Sequence, residues 1–263
     1  MLIFAAKVLI APILLSIAAL VERRWGTVVG GWLLGLPLTS GPVSFLLLEE
    51  HGPFFAENAA RGALLGLVGA GVFVAGYSLA AAERSWRRSL TFAGIACLSV
   101  TFALSQVHLA FGLTLAFAAV VLALVAVATL SAAPQRANAP SAPRKRDFAF
   151  RMAVACVVVV GVSVASTLMG SQISGMLTAI PAITAVMTVT THRSSGKDSA
   201  RSMLRGTVAG LWGGAAFFAV VGLLVTVSTP VITYLAAAAA AAAIAAVSGR
   251  VATSQRLVLA HVH

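Results

Sequence analysis

Shifted by 144 positions, this chain falls on itself without a gap. Gly26 lands on Gly170, Gly31 on Gly175, Leu33 on Leu177 and Pro37 on Pro181. Farther on, Arg61-Gly62 lands on Arg205-Gly206, Gly66-Leu67 on Gly210-Leu211, Gly69 on Gly213 and Phe73 on Phe217. From Leu2 to Leu79 there are 17 identities in 78 pairs, where an unrepeated chain of this composition gives about eight. Glycine, proline and arginine dominate the matches, and those residues constrain backbone or charge. A fold of two related units is expected, of the kind that builds membrane transporters and some channels.

The solvent of that fold follows from composition. A chain that is 60% hydrophobic and 10% charged, with mean hydropathy +1.00, has more apolar surface than a water-soluble core can hide. Nine apolar runs recur: Leu2–Leu20, Gly26–Leu48, Ala59–Ala82, Leu90–Gln106, Leu109–Leu130, Phe148–Thr167, Ile173–Thr191, Met203–Val227 and Val231–Val247. Each is near the length an apolar helix needs to cross the hydrocarbon layer. The alternation of a membrane barrel is missing. The expected class is therefore an all-α membrane protein with nine transmembrane helices. The first run has a basic residue, Lys7, near its start, as a signal peptide does. Its register mate is a later run, with Phe4-Ala5 on Phe148-Ala149, so it is expected to be retained.

The net charge of +11 and pI near 11.4 do not point to nucleic acid. The cations sit in short loops beside the apolar runs, as the positive-inside bias requires. With the loop after the first run in the cytoplasm, 15 of the 18 Lys and Arg fall on the cytoplasmic side, while Glu49, Glu50 and Glu57 fall outside. This places the N-terminus outside and the C-terminus inside. Residues 1–107 form a first four-helix repeat, 108–131 a connecting helix, 132–147 a cytoplasmic linker, and 148–263 a second repeat with a short tail. An odd connecting helix turns the second copy over, giving an inverted 4+1+4 repeat. Cys97 and Cys156 read as small buried hydrophobes.

Candidate chemistry lies in three places. The second run is dense in Gly and Pro from Gly30 to Pro42, and the seventh carries Gly175 and Pro181 in register. Paired interrupted helices point to a midplane transport site, with two packing helices kinked at proline as the other reading. Hydroxyls cluster beside both prolines: Ser40 and Ser44 with Thr39 on one run, and Ser174, Thr178, Thr184 and Thr188 on the other. They either line a path or bond neighbouring helices. Third, Lys7 pairs with Arg151 and Arg61 with Arg205, near helix starts that already favour anions. Snorkelling to headgroups is the competing account. The candidate substrate-binding set is Lys7, Arg61, Arg151, Arg205, Pro37, Ser40, Pro181, Thr178 and Thr184. Gly62–Gly66 and Gly206–Gly210 are both GxxxG, the latter extended by Gly214, and a close crossing of the third and eighth helices on these motifs is expected. Glu49, Glu50 and His51 read as a solvated loop. No metal-ligand spacing, nucleophile elbow or phosphate loop is present, so neither an enzyme nor a cofactor is expected.

The stretch Ser174–Ile183, followed by a basic loop and Leu204-Arg205-Gly206-Thr207-Val208-Ala209-Gly210-Leu211-Trp212, resembles the small GlpM-like four-helix proteins of the bacterial inner membrane. The likeness spans roughly residues 148–227 and, more faintly, 2–82. It implies a four-helix unit, here in tandem duplication, and a bacterial inner-membrane location. The layout is also similar to that of fused fluoride channels, whose polar pore motifs are not found in this sequence. The expected function is transport of an anionic substrate, phosphate-bearing or lipid-linked. An ion channel of fused dual-topology type, or a non-transporting subunit of an envelope-assembly complex, are the alternatives. The expected partners are membrane lipids and the anionic or lipid-linked substrate, with no nucleic acid; a homodimer is compatible with the chain.

Overall fold

The computed structural model describes residues 17, 20–21, 24–38, 40–130 and 170–260. They form helices only: α1 (Thr27–Gly35), α2 (Ser40–His51), α3 (Pro53–Ala80), α4 (Trp86–Ser105), α5 (Phe111–Leu130), α6 (Ser171–Thr178), α7 (Ala182–Ser195), α8 (Lys197–Leu224) and α9 (Pro230–Ala260). Taken as spans, these make seven helices or helix pairs long and apolar enough to cross a membrane, with α1–α2 and α6–α7 each forming one interrupted span. The multi-pass membrane character therefore stands. Of the remaining expected runs, Phe148–Thr167 and nearly all of Leu2–Leu20 lie outside the described residues, and so do Lys7, Thr39 and Arg151.

Inside a bilayer, apolar contact with a helix is no better than apolar contact with lipid, so helices associate where small residues let backbones touch. The bundle follows that rule. α3 and α8 are its most buried members, and both are seamed with glycine. A methyl added at Gly62 would strike the Gln172 carbonyl of α6, and one at Gly66 would lie 2.6 Å from Met176 O and 2.7 Å from Ala179 Cβ. On α8, Gly206 faces the Val28 carbonyl of α1, and Gly210 faces the Trp32 carbonyl and Gly35. Gly31 and Gly175 answer from the other side, against Met203 and Ala59. Each contact in one set recurs in the other with both numbers moved by 144.

These contacts correct one expectation. Gly62 and Gly66 on α3, and Gly206 and Gly210 on α8, do not meet the other long helix; each pair receives the short helix that belongs to the other half of the sequence. α3 and α8 do touch, farther along, where Gly214 approaches Leu67. A glycine pair marks a surface fit for a close neighbour but not which neighbour takes it.

Helix directions follow from ordered contacts along α5. Arg61 of α3 reaches Leu109 and Gly71 meets Leu122 and Val125, so α3 and α5 run the same way. Arg205 of α8 reaches Thr129 and Gly222 meets Phe111, so α8 runs against α5. On α9, Ala237, Ala241 and Ala245 form a buried stripe, with Gly213 beside Ala241 O and Ala245 Cβ.

The α3 and α8 starts are also matched. Gly52 (φ 83°) and Gly196 (φ 90°) hold the left-handed backbone immediately before each helix, a conformation that strains any residue with a Cβ. The helices therefore begin well before the apolar runs do. This corrects a second expectation, because Arg61 and Arg205 lie two turns inside α3 and α8, beyond reach of the end charge of the helix. Glu49, Glu50 and His51 are likewise helical, forming the exposed last turn of α2.

Candidate functional site

Both interruptions are built the same way from the same residues. Proline removes a backbone N–H and its ring displaces the preceding turn, so a helix cannot run through unaltered. At Pro37 the Leu36 N–H donates to Leu33 O (3.3 Å), and the Leu38 N–H donates back to Leu36 O (2.8 Å). At Pro181 the Ile180 N–H donates to Leu177 O (3.2 Å), and the Ala182 N–H donates to Ile180 O (2.8 Å). The two-residue bond across each proline is that of an inverse γ-turn, and Pro181 has the matching backbone, φ −80° and ψ 46°. Each proline carbonyl then accepts from the fourth residue on, Gly41 or Ala185, at 2.8 Å, and starts the second half-helix.

The two turns lie against the same crossing. Ala179 touches Gly66 of α3, and the Gly35 carbonyl is 3.4 Å from a methyl built on Gly214 of α8, which also borders Leu67. Leu34 and Ile183 pack on Met187 and Met203 nearby. Ser40 and Thr184, which are register mates, are both buried in the first turn of α2 and of α7. Pro37, Ser40, Pro181, Thr178 and Thr184 are thus gathered on two matched structures around one crossing.

The hydroxyls divide. Thr178 donates to Gly175 O at 2.7 Å and Ser174 to Gly170 O at 3.1 Å, each one turn back on its own segment. Ser44 bonds Tyr234 of α9 at 2.9 Å. Its register mate Thr188 is fully buried, and its Oγ1 has no hydrogen-bond partner. The reason lies 144 residues before Tyr234, where the chain has Leu90. Two functional-looking pairs escaped sequence reasoning. Tyr77 O–H and His192 Nδ1 are 3.0 Å apart, and the Gln172 amide donates to Val107 O at 3.1 Å. Their register mates are Val221, Leu48 and Val28, so the repeat offers no signal for them.

The arginines stand apart from the prolines. Arg61 donates to Leu109 O at 3.2 Å and to Asn58 Oδ1 at 2.6 Å, while its Nε is buried without a partner. Arg205 donates through Nε to Thr129 O at 3.2 Å. One grips the chain just before α5 and the other the last turn of α5, which favours a cation. A 20-residue helix separates its ends by about 30 Å, so the two guanidiniums do not share a site with each other. Among the described residues no cluster of three His, Cys, Asp or Glu is placed to hold a metal ion.

No family model matches this chain, and no curated protein or solved structure matches it.

Proposed function

We propose that the chain is an inner-membrane transporter made of two inverted four-helix halves, a duplicated GlpM-like unit, and that it moves an anionic, phosphate-bearing or lipid-linked substrate. The observation that carries this reading is the pair of identical prolyl turns, 144 residues apart, on opposite partners of one helix crossing. Interrupted spans of this kind expose half-helix ends in the interior, where irregular backbone is tolerated only against protein or a polar path. The half-helices α2 and α7 both begin at the turns, and a helix start favours an anion. Inversion is supported by the opposed directions of α3 and α8 and by the reciprocal glycine contacts. The arginines then serve as entry cations at the two faces rather than as ligands at the centre.

Transport is tested with the full chain in liposomes, using labelled orthophosphate and a phosphatidic acid carrying a fluorescent headgroup-distal tag. Movement of either probe above protein-free vesicles is expected. The double variant Ser40→Ala, Thr184→Val should slow it about tenfold. If neither probe moves, the reading is wrong. Movement at channel-like rates, seen as single-channel current, would replace the carrier by a pore with the same symmetry.

Orientation is tested on the loops that follow α3 and α8. In a Cys156→Ser background, with Cys97 buried, cysteines placed at Ser85 and Thr229 should be labelled by an impermeant maleimide from opposite faces. Labelling of both from one face would remove the inversion.

A further inference from the structure

At one end of the bundle two arginines from different helices converge on a single indole. Arg87 of α4 lies 5.2 Å from the centre of the Trp86 ring, and Arg193, in the last turn of α7, lies 5.3 Å from it. Beside them Arg84 lies 5.6 Å from the Phe92 ring. The ring attracts both cations, so two guanidiniums from different helices are anchored at one indole. Neither guanidinium takes part in an ion pair with a described residue, and both are exposed. Lys197, which follows α7, donates to Ala82 O at 2.9 Å and ties this corner of α7 and α8 to the loop before α4. The arrangement is therefore a cationic corner at the end of the spans, at the depth where tryptophan marks the membrane interface.

We infer that the Trp86 corner is a binding site for a phosphate group, with Arg87 and Arg193 as its cationic donors. A phosphate oxygen pair accepts from planar guanidinium forks with defined geometry, and basic corners between spans at the membrane surface take anionic headgroups. The indole keeps both forks in place before the ligand arrives, so little ordering remains to be done on binding. Nothing in this inference needs the interrupted helices, and the transport reading stands or falls separately.

The test counts lipid retained by the purified full chain in native mass spectrometry, after exchange through nanodiscs of phosphatidylcholine doped with phosphatidylglycerol. The wild-type chain should retain phosphatidylglycerol in preference to phosphatidylcholine. Arg87→Gln and Arg193→Gln should each weaken that retention about tenfold. Arg24→Gln provides the control: Arg24 lies 5.6 Å from Trp25, where it is the one cation on the indole among the described residues, and its loss should leave retention unchanged. Release of the lipid by millimolar glycerol phosphate would identify the phosphate itself as the ligand; retention against it would identify the whole headgroup at the membrane surface. Wild-type retention in both Arg87→Gln and Arg193→Gln overturns the site. An equal loss in Arg24→Gln overturns it too, by reducing the effect to overall charge.

Discussion

Replacing Gly206 by alanine should destabilise the folded chain by about 3 kcal/mol, and Gly62→Ala should do the same. At each position the added methyl meets backbone of the opposing short helix, Val28 on one side and Gln172 on the other. A backbone carbonyl cannot rotate away as a side chain does, so the helices must separate along the whole seam. Separation also forfeits the close contacts that replace hydrophobic driving force within a membrane. For a chain of this size that cost corresponds to an apparent melting shift of about 8 °C, readable by thermal scanning in detergent. Gly94 and Gly112 have nothing within 4 Å of a built methyl, and alanine there should be neutral or slightly stabilising. Equal melting for all four variants would mean that the seams are not where α1 and α6 dock.

The second large effect concerns Arg61 and Arg205. Substitution of either by alanine should lower flux of the tagged phosphatidic acid by about a hundredfold while the chain still inserts. Each guanidinium also braces α5 through a main-chain carbonyl, so melting must be read beside flux. Lost flux at near-normal melting marks a substrate cation. Flux that holds at the wild-type rate removes the anion argument.

Much of this structure was legible in the residues, and the rest was hidden for identifiable reasons. The interruptions could be foreseen because proline acts through the backbone at its own position, whatever surrounds it. The partner of each GxxxG could not be, because Gly62 and Gly206 advertise closeness without naming the neighbour. Arg61 and Arg205 looked like helix starts because hydropathy drops before them, yet polar helix continues back to Gly52 and Gly196. Those two glycines were in register and passed unnoticed, their meaning resting on a positive φ rather than on side-chain character. The Trp86 corner joins residues more than a hundred positions apart with no equivalent in the other half. Only the packing of α7 beside α4 brings them together.

The reciprocal docking of α1 on α8 and of α6 on α3 has a consequence for how such a chain becomes a protein. Neither half carries the groove that its own broken span requires; each lends it to the other. The halves are thus interlocked rather than joined, and a solitary half remains unfinished until it meets a complement.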